Sequence, residues 1–288
     1  MLIEMNTDWD IRGKTVLITG ATDGIGKEAA LQLAKLGARI VFTARTKEKA
    51  EALKADIVAS GGKAEYLLCD LASFSSIKNC VIEFLKSHDA LHVLIHNAGV
   101  MPPRREESKD GIELNMAVNY FAPALLTEML LPLLRRSTPS RIINVASTLH
   151  KEGDINPDNL RGAGPYDIYR AYAASKLALV MYTCRLRESL RGSGIAAVAV
   201  HPGWINTKLA LGALSRSGLA ARILLPLMRM HPPSYGAEPV TRLAVQKPAP
   251  DGIYFERDKE ATPSPKTKDA ALVARLWDST KEILSPYL

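Results

Sequence analysis

The sequence predicts one α/β domain built on a doubly wound, mostly parallel sheet of about seven strands with helices on both faces. Short apolar runs alternate with helical patterns along the 288 residues, as repeated βαβ units require. The apolar runs show little polar alternation, which indicates strands buried on both faces. No linker rich in Pro, Gly or Ser interrupts the pattern. We therefore expect a single domain over residues 1–288.

The strands are predicted from runs of apolar and β-branched residues bounded by turn residues. In chain order they are 14–19, 39–44, 64–69, 91–96, 141–146, 195–201 and 252–255. The helices are predicted from apolar residues at helical spacing, in several cases closed by glycine. They are 25–36, 47–59, 73–87, 111–136, 168–191 and 234–246, followed by a C-terminal helix at about 269–284.

Two long segments interrupt this alternation. Residues 148–165 are polar and rich in Gly, Pro and Asn, and loops of this length in compact domains usually have a function. Residues 205–233 mix Leu, Ile and Met with arginines after the penultimate strand, where an α/β sheet opens its ligand crevice. We expect the first segment to line an active-site mouth and the second to form an apolar substrate lid.

The composition restricts the classes of ligand and the compartment. The formal charge is +7, but the basic residues are dispersed along the chain. This distribution favours an anionic small molecule over a nucleic acid. The three cysteines lack Cys-x-x-Cys spacing, which indicates a reducing compartment, the cytoplasm.

The sequence contains no predicted membrane-spanning helix. The amino terminus lacks the basic and apolar regions of a secretory signal. The most apolar stretches, 121–134 and 219–230, contain charged residues and are shorter than the roughly 20 residues that cross a bilayer. Residues 209–230 are both apolar and basic, which suits a membrane surface. Peripheral attachment therefore stays open beside a purely cytoplasmic location.

A glycine-rich loop joins the first predicted strand to the first helix. It reads Thr19-Gly-Ala-Thr-Asp-Gly-Ile-Gly26. Glycines let the backbone approach a pyrophosphate, and a helix amino terminus attracts its charge. The spacing Gly-x-x-x-Gly-x-Gly departs from the Gly-x-Gly-x-x-Gly pattern of many Rossmann-type domains, so a purely structural glycine turn is the alternative.

The second strand ends in Thr43-Ala44-Arg45. An acidic residue at this point selects NAD by binding the ribose 2′-hydroxyl, whereas arginine accommodates the 2′-phosphate of NADP. Arg45 therefore favours NADP(H). An exposed helix-capping arginine is the alternative, and the carboxylate of Asp23 beside the glycine loop is a mild argument against added positive charge there.

A tyrosine and a lysine, Tyr172 and Lys176, lie four residues apart in a predicted helix, so their side chains are neighbours on one face. A phenol with a reference pKa of about 10 becomes a usable proton donor and acceptor when a fixed cation favours the phenolate. The pair is therefore a candidate for proton transfer. A solvated helix face with the same spacing is the alternative.

Together these motifs resemble the short-chain dehydrogenase/reductase family over nearly the whole chain. The matching features lie at the ends of predicted strands or in adjoining helices, as the crevice of an open sheet requires. They are the glycine loop, Asp70, Asn97-Ala98-Gly99, Asn119, Ser147, Tyr172-x-x-x-Lys176 and Pro202-Gly203.

The resemblance implies a catalytic set of Asn119, Ser147, Tyr172 and Lys176. Tyr172 would protonate a carbonyl oxygen, Ser147 would donate a hydrogen bond to that oxygen, Lys176 would hold the nicotinamide ribose, and Asn119 would order a water beside Lys176. The expected cofactor-binding residues are Gly20, Thr22, Asp23, Gly24, Ile25, Gly26, Arg45, Asp70, Leu71, Asn97, Ala98, Gly99, Tyr172, Lys176, Pro202, Gly203 and Thr207. No metal is expected.

Within the family, His201-Pro202-Gly203, Arg45 and the long loop before Tyr172 are most similar to the retinol dehydrogenase-like subgroup. This likeness implies an NADP(H)-dependent oxidoreductase that interconverts a hydrophobic alcohol and its aldehyde or ketone, of the retinoid, steroid or other lipophilic carbonyl type. A catalytically silent NADPH-binding sensor or scaffold is the alternative. The family also implies a homo-oligomer, a dimer or tetramer, formed through the long helices.

Overall fold

The computed structural model describes residues 9–206 and 230–288. An eight-stranded sheet crosses this part of the chain in the order β3-β2-β1-β4-β5-β6-β7-β8. The strands are β1 Thr15–Ile18, β2 Arg39–Ala44, β3 Lys63–Leu68, β4 Val93–His96, β5 Ser140–Val145, β6 Ile195–His201, β7 Tyr254–Glu256 and β8 Lys259–Glu260. The helices are α1 Gly24–Lys35, α2 Lys47–Ala59, α3 Phe74–Ser87, α4 Leu114–Arg136, α5 Ile168–Ser189, α6 Pro233–Val245 and α7 Ala270–Leu284.

The predicted doubly wound α/β fold is confirmed. Neighbouring strands from β3 to β7 pair in parallel, and the sheet gains one more strand than predicted. That strand, β8, pairs antiparallel with β7. It is only the two residues Lys259–Glu260, both exposed, so it carries no apolar run by which the sequence could reveal it.

Helices cover the two faces of the sheet over separate apolar cores. Leu17, Val41 and Leu94 face α3, α4, α5 and α7, whereas their chain neighbours face α1, α2 and α6. Successive strand residues point to opposite faces, and here both faces are apolar. This double burial explains the continuous apolar runs in the sequence.

The long helix α4 begins three residues later than predicted, at Leu114, and follows Gly111, which has a φ of +70°. It contains a π-helical turn at Ala117–Phe121. The helix is long and apolar enough to cross a membrane, but 78% of its most apolar window is buried inside the protein. It is therefore built as a core helix.

The C-terminal helix α7 packs against the outer sides of α4 and α5. The Trp277 ring stacks on Tyr182 with ring centroids 5.7 Å apart, and the Tyr120 hydroxyl lies 2.6 Å from Thr280 Oγ1. Leu276 is fully buried beneath the helix. The homo-oligomer expected through the long helices stays a prediction.

A buried arginine joins the amino-terminal segment to α6. Arg141 is 2% exposed, and its guanidinium donates to the carbonyl oxygens of Leu243 and Gln246, each at 2.7 Å. Trp9 donates its indole N–H to Ala244 O at 2.9 Å, and the guanidinium lies 4.1 Å from the Trp9 ring centroid. Carbonyls at a helix carboxyl end lack intrahelical partners and attract cations, so this pair caps α6 and fixes it on the sheet.

We expect Trp9→Ala to lower the free energy of unfolding by about 3–5 kcal/mol, because it removes a buried ring and uncovers the Arg141 charge. Trp9→Phe keeps a ring over the guanidinium and loses only the hydrogen bond to Ala244, about 1 kcal/mol. Urea unfolding followed by circular dichroism measures both. Equal stability of the two variants would show that the ring over Arg141 contributes nothing.

Candidate active site

The carboxyl ends of the parallel strands open into one cavity of about 940 Å³. Three of the four predicted catalytic residues, Ser147, Tyr172 and Lys176, line it. The other predicted residues on its wall are Gly20, Thr22, Asp23, Gly24, Ile25, Arg45, Asp70, Leu71, Asn97, Ala98, Gly99, Pro202 and Gly203. Gly26 and Asn119 lie behind the wall, and Thr207 falls outside the described residues.

The glycine loop is shaped by its contact with the end of β4. Gly20 and Gly24 have φ values of +66° and +55°, which side-chain-bearing residues rarely adopt. A Cβ at Gly26 would lie 2.3 Å from the Asn97 amide nitrogen. That nitrogen donates to the carbonyls of Thr19 and Gly20, each at 3.0 Å. Gly26 therefore serves close packing, and Asn97 holds the loop in place.

The cavity suits a dinucleotide from one end to the other. The amino terminus of α1 opens onto it, and backbone N–H groups at such a terminus attract phosphate. Past the end of β2 the cavity is lined by Arg45, Thr46 and Lys49. Thr46, and not Arg45, is the N-cap residue of α2, and its hydroxyl makes no capping hydrogen bond. Two cations and this hydroxyl form a set of donors suited to a second phosphate.

Lys49 was not singled out by the sequence. Its position in the first turn of the helix that follows β2 is the signal that could have revealed it, since the crevice of an open α/β sheet lies at the carboxyl ends of the strands.

Ser147 and Tyr172 meet in the centre of the cavity. Ser147 lies just after β5, and its hydroxyl is close enough to the Tyr172 phenol to lower the pKa of that phenol. The same hydroxyl accepts from the backbone N–H of Leu149 at 3.3 Å. Tyr172 comes from α5, whose first turn is capped by Asp167 accepting from Arg170 N at 2.8 Å. A strand end and a capped helix thus bring the two hydroxyls together.

Lys176 lies below Tyr172 and is almost fully buried. Its ammonium group donates to Val145 O at 2.8 Å and lies 5.7 Å from the Tyr172 ring centroid. Burial lowers the pKa of Lys176 to about 8. Burial also raises the pKa of Tyr172 to about 12, an effect that the hydrogen bond from Ser147 partly offsets. In the protein alone, burial therefore keeps the phenol protonated at neutral pH.

Asn119 lies in the π-helical turn of α4 and is completely buried. Its amide donates to Val100 O and to Ser175 Oγ, each at 3.0 Å, and accepts from Val100 N at 2.8 Å. Ser175 in turn donates to Tyr172 O at 2.7 Å. Asn119 is therefore placed to position Val100 and the tyrosine helix. Its water-ordering role stays a prediction.

Ser175 also contributes to the site, although it was not among the predicted site residues. It is fully buried between Asn119 and the backbone of Tyr172. A small hydroxyl residue directly before the lysine in Tyr-x-x-Ser-Lys is the signal that could have revealed it.

The remaining wall of the cavity is largely apolar. Trp204, at its rim, is 57% exposed. The other side chains on this side are Val100, Met101, Leu149, Tyr169, Ile205 and Met230. Most of the predicted lid, 205–233, lies outside the described residues; Ile205 and His231 at its two ends pair as a parallel β-bridge.

The comparisons with known proteins agree with this geometry. A family model described as short chain dehydrogenase matches residues 14–215. Retinol dehydrogenase 13 of Homo sapiens is 37% identical over 284 residues, 95% of this chain and 85% of that protein. Retinol dehydrogenase 12 of Bos taurus is 35% identical over 280 residues, 96% of this chain and 88% of that protein.

Solved structures with a similar fold include a member of the same family. An uncharacterised protein from Mycobacterium paratuberculosis superposes with a TM-score of 0.77 at 29% identity, covering 96% of both chains. A metagenomic short-chain oxidoreductase in complex with NADP has a TM-score of 0.63 at 29% identity, covering 86% of this chain and 96% of that one. The chain therefore belongs to the short-chain dehydrogenase/reductase family, is similar to retinol dehydrogenases within it, and is an oxidoreductase of CH–OH and C=O groups.

Proposed function

We propose that this chain is an NADP(H)-dependent oxidoreductase that interconverts a hydrophobic alcohol and its aldehyde or ketone, with Tyr172 as the acid and base. The observation that carries the proposal is the meeting of Ser147, Tyr172 and Lys176 in one cavity that also contains the glycine loop. A buried phenol beside a hydroxyl donor suits proton transfer to an oxygen atom.

The cofactor assignment rests on the donors along the cavity. The amino terminus of α1 would bind the pyrophosphate, and Asn97-Ala98-Gly99 would lie along the cofactor. Arg45, Thr46 and Lys49 would bind the 2′-phosphate that distinguishes NADP from NAD. A similar oxidoreductase was solved in complex with NADP. A nicotinamide cofactor, when bound, supplies or accepts the hydride.

The side chains of the site would handle the proton. In the direction of reduction, Tyr172 donates its proton to the carbonyl oxygen while Ser147 donates a hydrogen bond to that same oxygen. The raised pKa of Tyr172 keeps this proton in place at neutral pH. Lys176, whose lowered pKa is about 8, is placed to supply positive charge beside the phenol and to hold the ribose.

The substrate assignment rests on the apolar wall. Met101, Leu149, Tyr169, Trp204 and Met230 line the cavity, and apolar side chains of this kind bind lipophilic molecules with few polar contacts. The similar human and bovine proteins are named retinol dehydrogenases. We therefore propose a lipophilic carbonyl of the retinoid, steroid or long-chain aldehyde type.

We also propose three further properties of the protein. They are a lid formed by residues 205–233, a homo-oligomeric state, and a cytoplasmic location with peripheral contact at a membrane surface.

We expect Tyr172→Phe to lower kcat by about 10²- to 10⁴-fold with all-trans-retinal or decanal, because the variant has no proton to donate. NADPH binding, followed by the fluorescence of the cofactor, should be retained. Tyr66→Phe, the same change at a hydroxyl that bonds Glu51 outside the cavity, is the control and should keep most of the activity. Full turnover by Tyr172→Phe would refute the proposed chemistry.

We expect Arg45→Ala to weaken NADPH binding by about 10- to 100-fold, the loss of one charge-assisted hydrogen bond of about 1.5–3 kcal/mol. NADH, which lacks the 2′-phosphate, should be affected by less than about threefold. Arg39→Ala removes an exposed arginine from the other end of β2 and is the control. If NADPH and NADH weakened equally, Arg45 would have no contact with the phosphate.

The burial of Lys176 predicts a pH dependence of stability. Its pKa is about 8 in the folded protein, against the 10.5 that is ordinary for a lysine. Between these values the unfolded chain binds more protons, so the contribution of Lys176 to stability rises with pH. Wild type should therefore gain stability relative to Lys176→Met as pH increases over this window. Urea unfolding across the window measures the difference, with Lys86→Met as a surface control; parallel curves for wild type and Lys176→Met would contradict the assignment.

A further inference from the structure

The buried side chain of His150 lies directly behind Ser147, the serine of the predicted catalytic set. It is 0% exposed, and its Nδ1 lies 2.6 Å from the carbonyl oxygen of Ser147. Its Nε2 lies 3.1 Å from the backbone nitrogen of Ser264. The ring also packs on Tyr254 with ring centroids 4.6 Å apart. Both ring nitrogens are therefore engaged, one toward the active site and one toward the C-terminal segment.

These two contacts define the tautomer of the histidine. A backbone N–H can only donate, so Nε2 must accept the hydrogen bond from Ser264. The proton of the neutral ring is then on Nδ1, where it is donated to Ser147 O. Burial lowers the pKa of His150; the carbonyl of Ser147 and the nearby Glu256 oppose this effect, and Lys151 adds to it.

We propose that His150 is a positioning residue that connects the C-terminal segment to Ser147 and so fixes the direction of the catalytic hydroxyl. This inference rests on the proposed function of the site. The hydroxyl of Ser147 lies near the Tyr172 phenol, and its carbonyl accepts from both Nδ1 and the backbone N–H of His150. These contacts give Ser147 one orientation between β5 and the loop that follows.

Two other contacts join the same parts of the chain, and they are exposed. Lys266 donates to Gly153 O and to Asp154 Oδ1, each at 2.8 Å. Arg275 contacts both carboxylate oxygens of Asp158, at 2.7 and 2.6 Å. We name residues 264–275 the C-terminal brace. Exposed ion pairs contribute only about 0–1 kcal/mol, so the buried His150 contact carries the coupling to the serine.

Three substitutions separate the two hydrogen bonds of the ring. His150→Asn places an amide N–H near the position of Nδ1 and keeps the donor to Ser147. His150→Gln places an amide oxygen near the position of Nε2 and keeps only the acceptor for Ser264. His150→Phe keeps the ring volume and loses both. The assay follows NADPH oxidation with decanal, together with KM and the Kd of NADPH.

We expect His150→Gln and His150→Phe to lower kcat by about 10- to 100-fold. The Ser147 carbonyl keeps the backbone N–H of residue 150, at 3.1 Å, but loses the shorter side-chain donor that fixes the direction of the hydroxyl. His150→Asn should retain kcat within about fivefold of wild type, and the Kd of NADPH should change by less than about threefold in all variants. If His150→Phe fails to fold, the comparison of His150→Asn with His150→Gln tests the inference by itself.

A wild-type kcat for His150→Gln would overturn the inference, and so would equal losses for the Asn and Gln variants. A Kd for NADPH that rises in step with the loss of kcat would also overturn it, since that is the signature of general damage to the fold. Lys266→Met removes the hydrogen bonds to Gly153 O and Asp154 and leaves the His150 contact intact. It is the control and should stay within about twofold of wild type. An active Tyr172→Phe enzyme would refute the proposed function itself. An inactive Tyr172→Phe enzyme, together with fully active His150 variants, would refute only the inference about His150.

Discussion

The whole site depends on β1 and β4 lying side by side in the sheet. The chain builds outward from β1 to β3 on one side and from β4 to β7 on the other, so the connections diverge and a crevice opens between the ends of these two strands. The glycine loop follows β1, and Asn97 follows β4 and bonds to the carbonyls of that loop. The cavity then continues over β5 and β6, which bring Ser147 and Pro202 to its wall.

The second constraint is burial. A lysine and a tyrosine are both held in a water-poor wall, where the charged form of either group is unfavourable. Neighbouring side chains maintain their positions. Asn119 and Ser175 tie the tyrosine helix to Val100, and the π-helical turn places Asn119 where it can do so. Such turns occur often at functional sites, because the added residue redirects a side chain without ending the helix.

The sequence predicts the parts of this arrangement that depend on local pattern. The strands, the glycine loop and the Tyr172–Lys176 spacing all follow from periodicity and turn chemistry. It does not predict the parts that depend on contacts between distant residues. The hydrogen bond of His150 to Ser264 spans 114 residues, and those of Arg141 reach carbonyls more than 100 residues away. A histidine in a polar loop and an arginine at the start of a strand look ordinary until the fold buries them.

The C-terminal brace also has a consequence for the time course of synthesis. The glycine loop, Ser147 and Tyr172 are all made before residue 264, and domains begin to fold while the chain emerges from the ribosome. The contacts that hold the loop after Ser147 come from residues 264–275. A nascent chain therefore lacks the hydrogen bond between His150 and Ser264 until residue 264 has left the ribosome. The loop after Ser147 gains these contacts only once residues 264–275 have been translated.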